Sequence, residues 1–248
     1  KPLFRRLHRR VALTAEGARL AEFLTGNLDA LAALLRELRE PGAASLHVSV
    51  EPALAARWLA PRLGRFRALH TGVEVSLSSS PSLVRVGVEA DLAIRWSMER
   101  AAWPGARAVR LAEATSFPVM APALLAATAA LAEPADLARC TLLFEEDRGY
   151  WAAWFAAAGL PGFPLPRGPI FNDLALAIDA AVRGEGVALG EPALVAEDLA
   201  AGRLVRPFPQ TAHLGSYWLV LPEGGQAGPV SAFADWALAE MASTLAGF

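Results

Sequence analysis

The stretch from Ser45 onward predicts an α/β fold with parallel strands. Short runs rich in Val, Ile and Leu alternate with helical patterns, and parallel sheets are built from that alternation. Gly/Pro patches such as 159–169 and 222–229 punctuate the pattern. The 248 residues are 54% hydrophobic and 19% charged, so a sizeable core can be buried. At ~150 residues per domain, this length fits one doubly wound sheet or two smaller lobes.

In chain order, residues 2–14 hold two short alternating stretches with basic residues between them. They suit a β-hairpin whose tip presents Arg6, His8, Arg9 and Arg10. Thr14 then precedes a long helical pattern and is a good N-cap, because its hydroxyl can accept a free first-turn N–H. Leu20, Leu24, Leu28, Leu31, Leu35 and Leu38 follow at spacings of three and four, drawing a narrow leucine stripe along the helix. Pro41-Gly42 stops it. About 25 residues make roughly 37 Å of helix, longer than a small domain needs, so the stripe reads as a dimer seam. Packing against the chain's own domain is the alternative.

The predicted strands are Leu46–Val50, Val73–Ser78, Asp91–Arg95, Phe117–Ala121, Thr141–Phe144, Pro169–Phe171, Val187–Gly190 and Trp218–Leu221. The predicted helices are Leu54–Arg67, Leu83–Glu89, Tyr150–Ala158, Leu174–Arg183, Ala193–Ala200 and Pro229–Leu245. No internal repeat stands out.

A net charge of −2 hides an asymmetry. Residues 1–19 carry +5, from Lys1, Arg5, Arg6, Arg9, Arg10 and Arg19 against Glu16, and the rest carry −7. A basic end on an acidic body is expected where one part approaches an anionic polymer. No apolar run reaches the ~18–20 residues of a membrane span, and no apolar region follows the arginine-rich start as in a secretory signal. The single cysteine, Cys140, cannot form an intrachain disulfide, which favours a reducing cytoplasm.

Motifs for catalysis are absent: there is no GxSxG elbow, Walker loop, HExxH or CxxC. His8, His47, His70 and His213 are scattered without metal-ligand spacing. Gly184–Gly190 looks like a dinucleotide fingerprint but follows a helix and precedes a strand, the wrong order for a pyrophosphate turn. Glu145–Asp147 reads as a solvated loop rather than an acid–base site. Neither an enzyme nor a metal or cofactor is expected.

Ligands of open α/β sheets sit beyond the carboxyl ends of the strands, where helix N-termini present free N–H groups. Here those places are Glu51–Ala53, Ser78–Ser82, Arg95–Trp96, Ser116 and Asn172–Asp173. The candidate ligand contacts are therefore Glu51, Pro52, Ala53, Ser79, Ser80, Arg95, Trp96, Ser116, Asn172 and Asp173.

Leu3-Phe4-Arg5-Arg6, Val11-Ala12-Leu13-Thr14 and Gly17 resemble the wing and the start of the linker helix in LysR-type transcription regulators. Residues 56–63, with Phe66 and His70, are similar to that family's first effector-domain helix. Asp91–Arg95, Trp103-Pro104-Gly105, Pro118–Pro122 and Gly184–Gly190 follow in the family's order. The Trp-Pro-Gly element and the strand at Asp91–Arg95 resemble the glycine-cleavage-activator-like branch.

The resemblance implies two α/β lobes of the type 2 periplasmic-binding-protein kind, with a small metabolite between them. Lobe I would take residues 43–118 and 220–248, and lobe II residues 119–219, with crossings near Ser116–Val119 and Ser216–Leu219. Residues 1–42 would be the remnant of a winged helix-turn-helix domain and a dimerising linker helix seamed by Leu20, Leu24, Leu28, Leu31 and Leu35. In the intact protein Arg6, Arg9 and Arg10 would neutralise promoter-DNA phosphates without reading bases. The base-reading helix would precede Lys1, so specific operator binding by this chain alone is not expected. A cytoplasmic ligand-responsive regulator, acting as a homodimer or homotetramer with no membrane contact, is the implied function. A solute-binding protein of a transporter is the alternative, and an enzyme on the same two-lobe fold a third reading.

Members of this branch often place hydroxyl residues where this chain has Glu51, Ala53 and Asp173. An amino-acid-like effector follows as an expectation. Its cationic group would lie near Glu51 or Asp173, and its carboxylate on a helix N-terminus at Ser80–Ser82.

Overall fold

The computed structural model describes residues 1–7, 10–21, 23–24, 31, 44–98, 103, 105–128, 131–224 and 228–248. Antiparallel strands β1 (Phe4–Leu7) and β2 (Arg10–Leu13) pair with Phe4 opposite Leu13 and Leu7 opposite Arg10. Thr14 joins this pair to a helix: its N–H donates to the Leu3 carbonyl, and its Oγ1 accepts the Gly17 N–H at 3.0 Å. Gly17 is required by this close approach, since a Cβ would lie 1.9 Å from the Leu3 carbonyl oxygen. Residues 15–21, 23–24 and 31 are helical, and Leu20, Leu24 and Leu31 are exposed on the single chain. Arg9, Leu28, Leu35, Leu38 and Pro41-Gly42 lie outside the described residues.

The larger part of the chain is built on β3 (Ala44–Val50), β4 (Val73–Ser79), β5 (Leu92–Ser97), β6 (Ala106–Val119), β7 (Phe144–Glu145), β8 (Ile170–Phe171), β9 (Ala188–Gly190) and β10 (Ala212–Pro222). Six of these form one sheet in the order β4-β3-β5-β10-β6-β9, and β7 and β8 pair separately. Strand β3 runs parallel to β4 and β5, as the alternation predicts. The other half of the sheet departs from that expectation, because β10 is antiparallel to both β5 and β6. Only the last few residues of β6 were legible as a strand. Ala106–Ser116 alternates alanine with charged residues, a poor strand composition that pairing along β10 overrides.

Helix α1 begins at Pro52–Leu54, passes through a π-helical stretch at Ala55–Leu59 and resumes over Ala60–Leu69. Helices α2 (Pro122–Ala127), α3 (Gly149–Ala157), α4 (Leu174–Val182), α5 (Pro192–Ala200) and α6 (Pro229–Leu245) follow. The helix predicted at Leu83–Glu89 is not formed. Gly87 takes a φ of +87° and donates its N–H to the Ala90 carbonyl, which turns the chain instead.

The strand ladder is continuous, but the hydrophobic interior is divided. The first core packs Trp58 and Phe66 of α1 on Phe233 and Trp236 of α6, beneath Val48, Ile94 and Leu219 of the sheet. The second gathers Trp151, Trp154 and Phe155 of α3 with Phe144, Leu142, Val187 and Leu214. Strand β10 serves both, giving Tyr217, Leu219 and Leu221 to the first core and Ala212 and Leu214 to the second, which is why one ladder spans two interiors. This is the two-lobe α/β arrangement. Among the described residues no helix is long and apolar enough to cross a membrane.

Candidate ligand-binding cleft

Where the two cores meet, a cleft encloses about 930 Å³, counting its solvent-open mouth. It is bounded by the C-terminal ends of β3, β5, β7, β8 and β9 and by the N-termini of α1, α4 and α5. Such a junction is where α/β sheets leave space and oriented polar groups for a ligand. Of the predicted contacts, Glu51, Pro52, Ala53, Trp96, Ser116, Asn172 and Asp173 line it.

Ser79, Ser80 and Arg95 do not line it. Arg95 is buried and its guanidinium is turned inward, donating to the Ser49 carbonyl at 3.0 Å, Ser49 Oγ at 2.6 Å and the Ser82 carbonyl at 2.9 Å. Residues 80–82 form a bend rather than a helix start, with the Ser82 N–H donating to Ser80 Oγ, and Pro81 is the member that reaches the cleft. The platform expected for a ligand carboxylate is thus absent at Ser80–Ser82.

The acids dominate what remains. Glu51, Glu145, Glu146, Asp173 and Glu191 line the cleft, and among the described residues no Lys, Arg or His does. Burial raises the Glu51 carboxyl above its ordinary value, against the opposing pull of Arg95 and of the Trp96 backbone N–H. Glu191 is buried, and burial pushes it up to about 7 although the hydroxyls of Tyr217 and Ser116 both bond to it. The Tyr217 hydroxyl donates to Glu191 Oε2 at 2.7 Å. Glu145 is pushed up to about 8, by burial first and then by the charges of Glu191, Glu146, Asp173 and Glu51.

Local chain chemistry explains how these groups are aimed. Glu146 has a φ of +54°, a left-handed conformation that is strained for a residue with a Cβ, and its N–H donates to the Phe171 carbonyl at 2.7 Å. That kink leaves Glu145 half-buried on the cleft wall while Asp147 turns away to accept the Gly149 N–H at 2.6 Å. The run Glu145–Asp147 is therefore not the uniformly solvated loop its composition suggests. Asp173 caps α4 by accepting the Ala175 N–H at 2.8 Å. Trp96 and Tyr150 meet edge to face, with centroids 5.9 Å apart, and form an aromatic wall.

Sequence reasoning missed Glu145, Tyr150, Glu191 and Tyr217. For Glu191 a signal existed. Glu51-Pro52-Ala53-Leu54 and Glu191-Pro192-Ala193-Leu194 are the same tetrapeptide, each set between the end of a strand and the start of a helix. Both glutamates face the same cleft.

Residues 39–242 match the profile of the LysR substrate binding domain. The chain is 33% identical over 245 residues to the glycine cleavage system transcriptional activator of Escherichia coli, covering 97% of this chain and 80% of that protein. It is 37% identical over 245 residues to the transcriptional activator AmpR of Pseudomonas aeruginosa, covering 97% of this chain and 81% of that protein. The solved effector domain of that AmpR superposes with a TM-score of 0.69 at 35% identity, over 82% of this chain and 98% of the other. CrgA of Neisseria meningitidis, at 21% identity and a TM-score of 0.68 over 97% of this chain and 84% of its own, shares the fold. The hairpin, the leading helix, the divided α/β interior and these likenesses agree: this chain belongs to the LysR-type transcriptional regulators, whose effector-binding fold it carries.

Proposed function

We propose that this chain is the metabolite-sensing part of a cytoplasmic, DNA-binding transcription regulator and has no catalytic activity of its own. The observation that carries this reading is the cleft, where strand ends and three helix N-termini converge on one enclosed space. Its residues suit recognition: the Tyr217–Glu191 hydrogen bond and the helix-capping Asp173 are held by the fold, and among the described residues no nucleophile is paired with a base there.

The lobes are residues 43–118 with 220–248, and residues 119–219. Ile178 of α4 and Leu194 of α5 pack into the first core, so the second lobe stays in contact with the first along one side. A metabolite in the cleft changes the spacing of the lobes, and the leading helix carries that change to the DNA-binding part of a homodimer or homotetramer. The exposed leucines at 20, 24 and 31 support the dimer seam, and the exposed Arg6 on β1 supports contact with the DNA backbone. The ligand must favour one arrangement over another, and about 1–3 kcal/mol suffices for such coupling.

Transcript profiling tests this. A strain lacking the gene is complemented with the intact protein or with Ala53→Trp, which fills the cleft. The expected result is a set of transcripts that respond to growth conditions with the intact protein and lose that response with the variant. Transcripts unchanged by loss of the gene would overturn the reading.

A further inference from the structure

The cleft is a ligand site on the grounds of its fold and enclosure, and its lining decides what it takes. We infer that its effector is an organic cation, a small molecule that presents a protonated amine or guanidinium to Glu51, Glu145 and Glu191 against the wall formed by Trp96 and Tyr150. The inference rests on the cleft being the effector site and deepens that reading.

Four observations lead to it. First, among the described residues the lining contains five acidic side chains and no basic one, so no side-chain cation there would meet a bound anion. Second, the helix N-termini, ordinarily the anion-binding feature of such a junction, already face the chain's own acids. Glu51 precedes α1, Asp173 caps α4 and Glu191 precedes α5. Pro52 and Pro192 each remove a further N–H donor from those ends. Third, Arg95 is the nearby cation, and its guanidinium bonds point to Ser49, Ile94 and Ser82 behind the wall; it offsets part of the charge on Glu51 alone. Fourth, aromatic faces attract cations, and Trp96, Tyr150 and Tyr217 stand among the acids.

A metal ion is the other cation an acidic cleft could hold. Among the described residues, however, no three His, Cys, Asp or Glu side chains gather closely enough to ligate one. The acids are spread around the cleft, which suits a molecule several atoms long. Asn172 and Glu146, exposed at the mouth, would meet its outer end.

Burial and the mutual repulsion of these acids give the binding a signature. Glu145 faces Glu191, Glu146, Asp173 and Glu51, with Tyr150 beside it and Arg95 beyond Glu51, and it holds a proton at neutral pH when the cleft is empty. A cation favours the ionised carboxylate, so binding expels that proton and weakens as the pH falls from 8 to 6.

Isothermal titration of the purified chain with agmatine and cadaverine, against glutarate and inorganic phosphate, tests the inference. The expected result is saturable binding of at least one of the two cations, with a heat that depends on the buffer's ionisation enthalpy. Glu145→Gln should weaken that binding at least tenfold and reduce the buffer dependence to the share that Glu191 supplies, and Ala53→Trp should abolish binding. Binding of glutarate or phosphate that Ala53→Trp blocks would overturn the cationic class while leaving the effector cleft standing. Cation binding that survives Ala53→Trp would overturn it too, because the cation would then lie elsewhere. Failure of both cations to bind has the same consequence for the inference, and the transcript experiment judges the regulator reading separately.

Discussion

Three helices start at acids and two of them carry further acids along their flanks, and the two sets are treated in opposite ways. At the N-termini, Glu51, Asp173 and Glu191 face the cleft with no arginine among them. A turn or more further along, Arg57 of α1 pairs with Asp179 of α4 at 2.5 Å and also with Asp198 of α5. Arg62 of α1 reaches Glu197 of α5 at 3.0 Å, and Arg203 meets Asp198 at 2.5 Å. Acids that join one helix to the next have cations provided by the chain. Those at the cleft have no such ion pair among the described residues, although Arg95 offsets part of the charge on Glu51. The contrast separates carboxylates that tie one helix to the next from carboxylates that line the cleft.

The sharpest way to break this comparison is Arg57→Ala. It leaves Asp198 buried with only Arg203, and removing one partner of a buried pair is strongly destabilising, by about 3 kcal/mol here. Urea unfolding measures it. A loss well under 1 kcal/mol would mean that the paired acids are not structural.

Glu145→Gln should act in the opposite direction. Glu145 sits near 8 in the folded chain against an ordinary 4.5, so the folded state holds a proton that the unfolded chain has released. Stability contributed by that proton is full below about pH 4.5 and is lost as the pH rises towards 8. Glu191, near 7, adds a second loss between the same starting point and pH 7. The ligand-free protein should therefore unfold more easily at pH 8 than at pH 5. Glu145→Gln should flatten part of that slope and stabilise the chain at pH 8 by about 2 kcal/mol. Thermal melts across this range decide it.

A smaller effect is expected from Asp173→Asn, which keeps the helix cap because asparagine accepts the same N–H. Stability should change by no more than about 0.5 kcal/mol while cation binding falls. Such a split between stability and affinity would place Asp173 with the ligand-facing acids despite its capping role. Smallest of all is Arg110→Ala. Its pairing with Glu113 is exposed on both sides, and a change below about 0.5 kcal/mol in a urea melt would set the baseline for the others.

Much of the fold was legible because its punctuation is local. Gly228 and Pro229 mark the start of the last helix, which runs over Pro229–Leu245 as its pattern implies, and Asp173 marks the start of α4. What was hidden depends on distant partners. Ala106–Ser116 is a strand only because β10 lies beside it. The role of Glu145 is set by burial against Glu191 and by the reversal at Glu146, neither of which adjacent acidic residues reveal. Arg95 had the right position in the chain and the wrong direction, since the Ser49 and Ser82 carbonyls draw its guanidinium inward. The leucine spacing identified the leading helix, whose described residues are helical, although much of that stripe lies outside the described residues.

The sharing of β10 between two interiors also has a mechanical consequence. Any rotation of one half against the other must twist β6 and β10, and twist collects where a ladder is already irregular. Their pairing shifts between His213 and Gly215 and again between Tyr217 and Trp218. The stretch between those two places begins at Gly215, where a Cβ would lie 2.8 Å from the Trp96 indole, and ends two residues on at Tyr217, bonded to Glu191. Leu214 and Tyr217 belong both to this irregular stretch of the ladder and to the lining of the cleft, so a twist there would move the cleft wall with it.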